Sequence, residues 1–189
     1  MDNLLSFIRS LTSFSNESWE SLQPALSSRT FKKNEFILKQ GEICTSLFYI
    51  DSGFCKTFYD LDSEIKNTGF FFENEIVTNV NSFSSGKESA FNIISCEPLT
   101  AFVFNKEKLI EASKQSVEIE TLGRCCIRLY AMKQEELSSI FQRYTADERL
   151  LYMEKTNPQL LQRVSLSQLA SFLGVKRETL SRIRKRRFL

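Results

Sequence analysis

The chain has 189 residues, 42% of them hydrophobic and 25% charged, with a formal net charge of only +2; that is soluble composition with material for one good core or two modest ones, and it excludes disorder as the organising state. It contains no histidine, so the commonest general base, the triads built on it and the usual zinc ligand sets are missing, and no enzyme activity, metal or cofactor is expected. The five cysteines, Cys44, Cys55, Cys96, Cys125 and Cys126, are odd in number, scattered and without a CxxC pair, which argues against a disulfide framework.

The opening stretch MDNLLSFIRS lacks the basic flank, apolar centre and cleavage site of a signal peptide, and no apolar run approaches the roughly 18 residues of a membrane span. A cytoplasmic protein without membrane contact is the expectation. Two short amphipathic helices are predicted first, one carrying Leu4, Leu5, Phe7, Ile8 and Leu11, the next Trp19, Leu22 and Leu26, with Pro24 ending or kinking the second. From Phe31 to Phe104 short runs rich in Phe, Ile, Tyr, Thr and Val alternate with glycines and polar clusters. Strands are predicted near Glu35–Leu38, Leu47–Asp51, Phe54–Tyr59, Glu64–Phe72, Phe91–Ser95 and Leu99–Phe104, a spacing that suggests a barrel or jelly roll.

After Asn105 the pattern turns helical. From Ser116 to about Gln142, Ile119, Leu122, Cys126, Leu129, Leu137 and Ile140 recur at three- and four-residue steps, an amphipathic helix whose seam is interrupted by Lys133. Such a seam suits pairing with a second copy; the alternative is packing on its own barrel. Vicinal Cys125 and Cys126 could link chains or sense oxidant, or lie inert in that seam. Thr145-x-x-Glu148 has capping-box spacing, so a new helix should run from there to about Thr156, where Pro158 stops it. Three parts follow: residues 1–114, a connecting helix over 115–142, and residues 143–189.

The last part is basic. From Arg143 on there are eleven Lys and Arg against four Asp and Glu, a balance of +7 that leaves −5 for residues 1–142. Asymmetry of this size suggests that the end of the chain meets a polyanion, although a solvated basic tail would have the same charge. Ser165-x-x-Gln168 is a second capping box, opening a helix from Leu166 to Leu173. Gly174 sits where the chain must turn sharply. Leu169, Leu173, Val175, Leu180 and Ile183 supply buried positions on both sides of it, small Ala170 permits a close crossing, and the second helix should span about Arg177 to Arg186. Together these describe a helix-turn-helix.

In that geometry the second helix enters a major groove by its N-terminal end. Lys176, Arg177, Glu178, Thr179, Ser181, Arg182 and Lys185 form the expected contact set on double-stranded DNA. Arg177 and Arg182 suit guanine O6 and N7, and Glu178 suits cytosine N4. A first-turn acid paired with Arg182 at i+4 would explain Glu178 equally well. Arg184, Arg186 and Arg187 should meet phosphates or solvent.

Ala170-Ser-Phe-Leu-Gly174-Val and Arg177-Glu178-Thr179-Leu180-Ser181-Arg182-Ile183-Arg184 resemble the helix-turn-helix of the Crp/Fnr transcription regulators. In that family an Arg-Glu-x-x-x-Arg set reads a TGTGA-like half-site, and here it falls on Arg177, Glu178 and Arg182. Gly41-x5-Leu47-Phe-Tyr-Ile50-x-x-Gly53-x-x-Lys56 resembles the first strands and turns of the family's cyclic-nucleotide-binding barrel. The resemblance implies an α+β chain: a double-stranded β-helix or jelly-roll sensor, a long dimerisation helix and a winged-type helix-turn-helix. It also implies a homodimer on a pseudo-palindromic operator, with RNA polymerase and an unidentified small-molecule effector as further partners.

One cassette departs from the family. Members that bind cyclic AMP carry Gly-Glu-Leu and then Arg-Ser/Thr-Ala, whose arginine and hydroxyl hold the cyclic phosphate; here the matching stretches are Asn74-Glu75-Ile76 and Glu88-Ser89-Ala90. A carboxylate where the arginine stands turns attraction for the phosphate into repulsion. Phe72-Glu-Asn-Glu-Ile76 and Ser82-Phe83 look like the divergent branch common in Bacteroidetes-type bacteria. Glu75, Glu88 and Ser89 therefore mark the effector pocket that the resemblance implies, without cyclic AMP as its occupant. They could instead hold a cation or line a vestigial pocket, leaving the barrel a ligand-free scaffold.

Overall fold

The computed structural model describes residues 1–62 and 64–187, the side chain of Arg187 excepted. Two compact units emerge: Met1–Thr57 with Phe70–Tyr130, and Phe58–Gly69 with the chain from Ala131 on. The division cuts one helix between Tyr130 and Ala131 and assigns the tip of one hairpin to the C-terminal unit, a grouping that sequence order alone does not suggest.

The first unit opens with α1 (Asp2–Leu11) and α2 (Asn16–Leu22), followed by a 3-10 turn over Gln23–Ala25. Pro24 occupies that turn, where its missing N–H is least missed, and the α-helix has already ended at Leu22. Leu26, expected on the second helix, begins a strand instead. The strands are β1 (Leu26–Phe31), β2 (Phe36–Leu38), β3 (Ser46–Ser52), β4 (Cys55–Leu61), β5 (Glu64–Phe71), β6 (Ile76–Val77), β7 (Asn92–Ser95) and β8 (Leu99–Asn105). Between β6 and β7 lies α3 (Val80–Ser85), capped by Asn79.

Two four-stranded sheets result, in the orders β1-β8-β3-β6 and β2-β7-β4-β5, with β1, β3 and β6 joined to their neighbours in antiparallel register. One apolar cluster takes residues from every strand, among them Phe31, Ile37, Phe48, Ile50, Cys55, Phe71, Val77, Ile93 and Leu99. This is the core of an antiparallel sandwich. The period-two alternation of a strand sends Tyr49, Phe102 and Phe104 to the opposite face, where α1, α2 and α4 (Lys106–Gln115) cover them through Leu4, Ile8, Trp19, Leu22 and Ala112.

α5 (Val117–Arg143) is a single helix, and Lys133 does not break it. Its first turns use the expected seam within the chain: Ile119 and Leu122 are buried in the same cluster as Trp19 and Phe102, with Cys126 packed beside them. Packing on the chain's own core thus holds for this part of α5. The apolar side chains left exposed on α5 are Val117, Ile127, Met132 and, from the expected seam itself, Leu129.

The second unit holds the tip of the β4–β5 hairpin, the end of α5, and α6 (Ala146–Thr156), α7 (Pro158–Arg163), α8 (Leu166–Leu173) and α9 (Arg177–Arg187). Thr145 and Glu148 form the anticipated capping box, with Glu148 N donating to Thr145 Oγ1 at 3.4 Å and Thr145 N to Glu148 Oε2 at 2.8 Å. Pro158 does not merely stop α6. It opens α7 from the first helical position, the one place where proline suits a helix. Beyond Asn105 the described residues form helices and connections, so no strand there supplies the wing of a winged helix-turn-helix. Among the described residues no helix is long and apolar enough to cross a membrane.

Candidate nucleic-acid interface

α8 starts where the sequence places it. Gln168 N donates to Ser165 Oγ at 3.3 Å and Ser165 N to Gln168 Oε1 at 3.3 Å, closing both halves of the capping box. Gly174 ends the helix with φ 72° and ψ 33°, a left-handed conformation that costs a residue without Cβ least. Val175 N then donates to Ala170 O at 3.0 Å and Gly174 N to Ser171 O at 3.3 Å, which consumes carbonyls that a helix end otherwise leaves unmatched.

The turn brings α9 across α8 on an apolar contact. Leu169, Ala170, Leu173, Leu180 and Ile183 are all at most 3% exposed, so the two helices share one small core. That burial fixes which side of α9 faces out. Lys176, Arg177, Glu178, Arg182 and Lys185 are exposed, Thr179 and Ser181 half-buried at the margin. Thr179, Arg182, Lys185 and Arg186 line one open hollow of about 460 Å³.

Among the described residues the side chains of Arg177, Glu178, Arg182 and Lys185 have neither a hydrogen bond nor an ion pair. The intrahelical Glu178–Arg182 pair is therefore not formed. Arg186 differs, since its Nη2 lies 3.4 Å from Asp147 Oδ2 on α6. Both partners are well exposed, so the pair contributes little to stability, but it directs this cation towards α6. Arg184 is half-buried, and the side chain of Arg187 lies outside the described residues.

A contact with no signature in the sequence pattern holds the hairpin tip to α8. Ser171 Oγ donates to Ile65 O at 2.7 Å and accepts from Asn67 N at 3.0 Å, while Asn67 Nδ2 donates to Gln168 O at 3.1 Å. Asn67 is 4% exposed and its Oδ1 has no partner among the described residues. Only the edge of β5, folded against α8, reveals these roles.

The three residues marked for an effector serve separate local contacts. Glu75 Oε2 accepts from Phe72 N at 2.7 Å, closing the turn in which Asn74 takes φ 66°. Glu88 is exposed, and its backbone forms an isolated antiparallel bridge with Ile43. Ser89 is 2% exposed; its Oγ accepts from Asn79 Nδ2 at 2.8 Å and donates to Phe91 O at 2.6 Å.

Two of the cysteines are held as thiols by burial. Burial pushes the Cys126 thiol up to about 11, with Cys125 adding to the effect. Burial also raises Cys96 to about 11, against the pull of Lys56. Both are protonated at neutral pH, the unreactive form of a thiol. Among the described residues no group of three or more Cys, Asp or Glu side chains gathers as a metal site.

Residues 28–116 match the cyclic nucleotide-binding domain family. The transcriptional activator protein Anr of Pseudomonas aeruginosa is 25% identical over 170 residues, covering 82% of this chain and 68% of Anr. Among solved structures, FixK2 from Bradyrhizobium japonicum superposes with a TM-score of 0.69 at 17% identity, over 85% of this chain and 83% of its own. The c-di-GMP responsive global regulator CLP of Xanthomonas campestris gives 0.70 at 17% identity, over 91% of each chain. At that identity the two structures bear on the fold alone.

Proposed function

We propose, on the premise that this chain belongs by homology to the Crp/Fnr-type transcription regulators and carries a cyclic nucleotide-binding domain, that it is a sequence-specific DNA-binding regulator acting as a homodimer on a pseudo-palindromic operator. The observation that carries this reading is the face of α9. Arg177, Glu178, Arg182 and Lys185 are exposed and unpaired among the described residues, on a helix locked to α8 by buried Leu180 and Ile183. A carboxylate left unpaired amid cations is ill suited to a phosphate lattice but suited to a cytosine amino group.

The dimer would form along α5, on the face of Gly123, Ile127 and Tyr130, which recur at steps of four and three residues. Ile127 is 63% exposed, and a Cβ added at Gly123 would meet nothing within 4 Å, so a second helix could approach closely there. This face differs from the seam that periodicity marks, whose leading residues are consumed inside the chain. Two copies of α9 would then read half-sites about 34 Å apart on one side of the duplex. The domains would divide the work as residues 1–114, 115–142 and 143–189, with RNA polymerase as a further partner.

Selection of bound duplexes from a random pool tests this reading. The expected outcome is a twofold-symmetric consensus; recovery of unrelated sequences, or of a single unrepeated element, would remove it.

A second version, in which the barrel is a ligand-free scaffold, is favoured by the engagement of Ser89. Its hydroxyl already has an acceptor and a donor, and the neighbouring residue that a cyclic phosphate would meet is the carboxylate of Glu88. Cyclic AMP at millimolar concentration should accordingly leave the unfolding midpoint unchanged, whereas a ligand at about 100 times its Kd stabilises by about 2.7 kcal/mol. A clear rise in melting temperature would show that the cassette holds the nucleotide.

A further inference from the structure

The C-terminal ends of two helices meet at one side chain. Arg149, on the second turn of α6, sends Nη2 to Phe141 O at 2.8 Å and Nη1 to Leu173 O at 3.1 Å. Phe141 lies in the last turn of α5 and Leu173 is the last residue of α8. Both carbonyls are among those that a helix leaves without an internal partner, and both sit at the negative end of a helix dipole. One guanidinium thus satisfies two helix ends with charge-assisted bonds.

Aromatic packing fixes the plane of that group. The guanidinium carbon stands 4.7 Å from the centre of the Phe141 ring, and the Phe141 and Phe172 rings meet edge to face at 5.9 Å. Arg149 Nε is shielded from solvent and has no partner among the described residues. The side chain is held by its two terminal nitrogens and the ring, and a planar fork so held sets an angle as well as a distance.

We infer that Arg149 is the positioning residue that sets which separation of two half-sites the protein accepts, by joining the end of α5 to the end of α8 through one planar guanidinium. The inference rests on the reading of α5 as the pairing helix and α9 as the reading helix. Gly174 follows Leu173 directly, so α9 leaves from the point that Arg149 holds. α9 starts at Arg177, and Arg182 lies about 9 Å along it at about 1.5 Å per residue, so a tilt of about 10° at the joint of each copy moves Arg182 by roughly 1.5 Å, and the separation of the two reading heads by about 3 Å. One base pair advances the duplex by about 3.4 Å. Loosening this joint is therefore enough to blur the register between half-sites without touching a base contact.

The test uses the full-length protein and a series of operators whose half-sites are identical but whose spacing changes by single base pairs. Wild-type protein should prefer one spacing, losing about tenfold in affinity for one base pair more or less, since the half-site then shifts and rotates. Arg149→Gln should reduce that penalty to about threefold or less while leaving the base preference within a half-site intact. Arg149→Lys keeps the charge but not the fork and should flatten the spacing profile as well, so the lysine variant still tests the joint if the glutamine variant folds poorly. Variants that bind more weakly by one common factor at every spacing would overturn the inference, because that is the result of lost stability alone. A wild-type protein indifferent to spacing would overturn the dimeric reading too; a sharp wild-type optimum retained by both variants would overturn only the role of Arg149.

Discussion

Replacing Arg182 with alanine lowers affinity for the selected operator by about 1 to 3 kcal/mol and leaves affinity for random duplex nearly unchanged. The expectation follows from where α9 places this cation. Arg182 is exposed, has no partner among the described residues, and lies between buried Leu180 and Ile183, so its backbone is fixed while its fork is free. A bidentate pair with guanine gains its energy only on the right base, whereas a phosphate contact gains it on any sequence. Arg186 is the internal contrast, because it stands 3.4 Å from Asp147 and part of its field is answered within the protein. Anisotropy titrations of both duplexes at two salt concentrations decide the matter. Equal losses on the two DNAs, with a shallower salt slope, would place Arg182 on the backbone and not at a base edge.

Helix starts were legible in the sequence because each capping box is a local pattern, closed by the residues that announce it: Thr145 with Glu148, and Ser165 with Gln168. Gly174 was legible for the same reason, since the αL turn is a property of one residue. Six strands showed as short aromatic and β-branched runs between turn residues, but β1 and the two-residue β6 did not. The β1 sequence Leu-Ser-Ser-Arg-Thr-Phe fully buries only its last residue, as an edge strand paired to β8. The faces of α5 were harder, since periodicity gives an apolar stripe and not the surface that covers it. Ile119 and Leu122 went to the chain's own core, while Leu129 of the same stripe stays exposed. Arg149 and Asn67 were beyond the sequence altogether, because their partners are backbone and hydroxyl groups more than twenty residues away in Leu173 and Ser171.

Gly53→Ala should cost about 2 to 4 kcal/mol of stability, the sum of a left-handed backbone for a residue with a Cβ and an overlap that no rotamer relieves. Gly53 has φ 85°, and a Cβ there would stand 2.5 Å from Pro98 O and 2.9 Å from Leu99 Cα. Both atoms are backbone, at the entry to β8, which pairs with β1 and β3 at the centre of its sheet. They can yield only if that register shifts. Gly53 N also donates to Glu73 Oε1 at 2.8 Å, which holds the turn against relaxation. Gly86 supplies the control: its φ is 71°, but an added Cβ meets nothing within 4 Å. Gly86→Ala should therefore show only the conformational part, about 1 to 2 kcal/mol. Urea unfolding of both variants separates the two terms. Equal losses would mean that the strand yields at Pro98 and that the close approach of the Gly53 turn to β8 is not what fixes this corner of the sandwich.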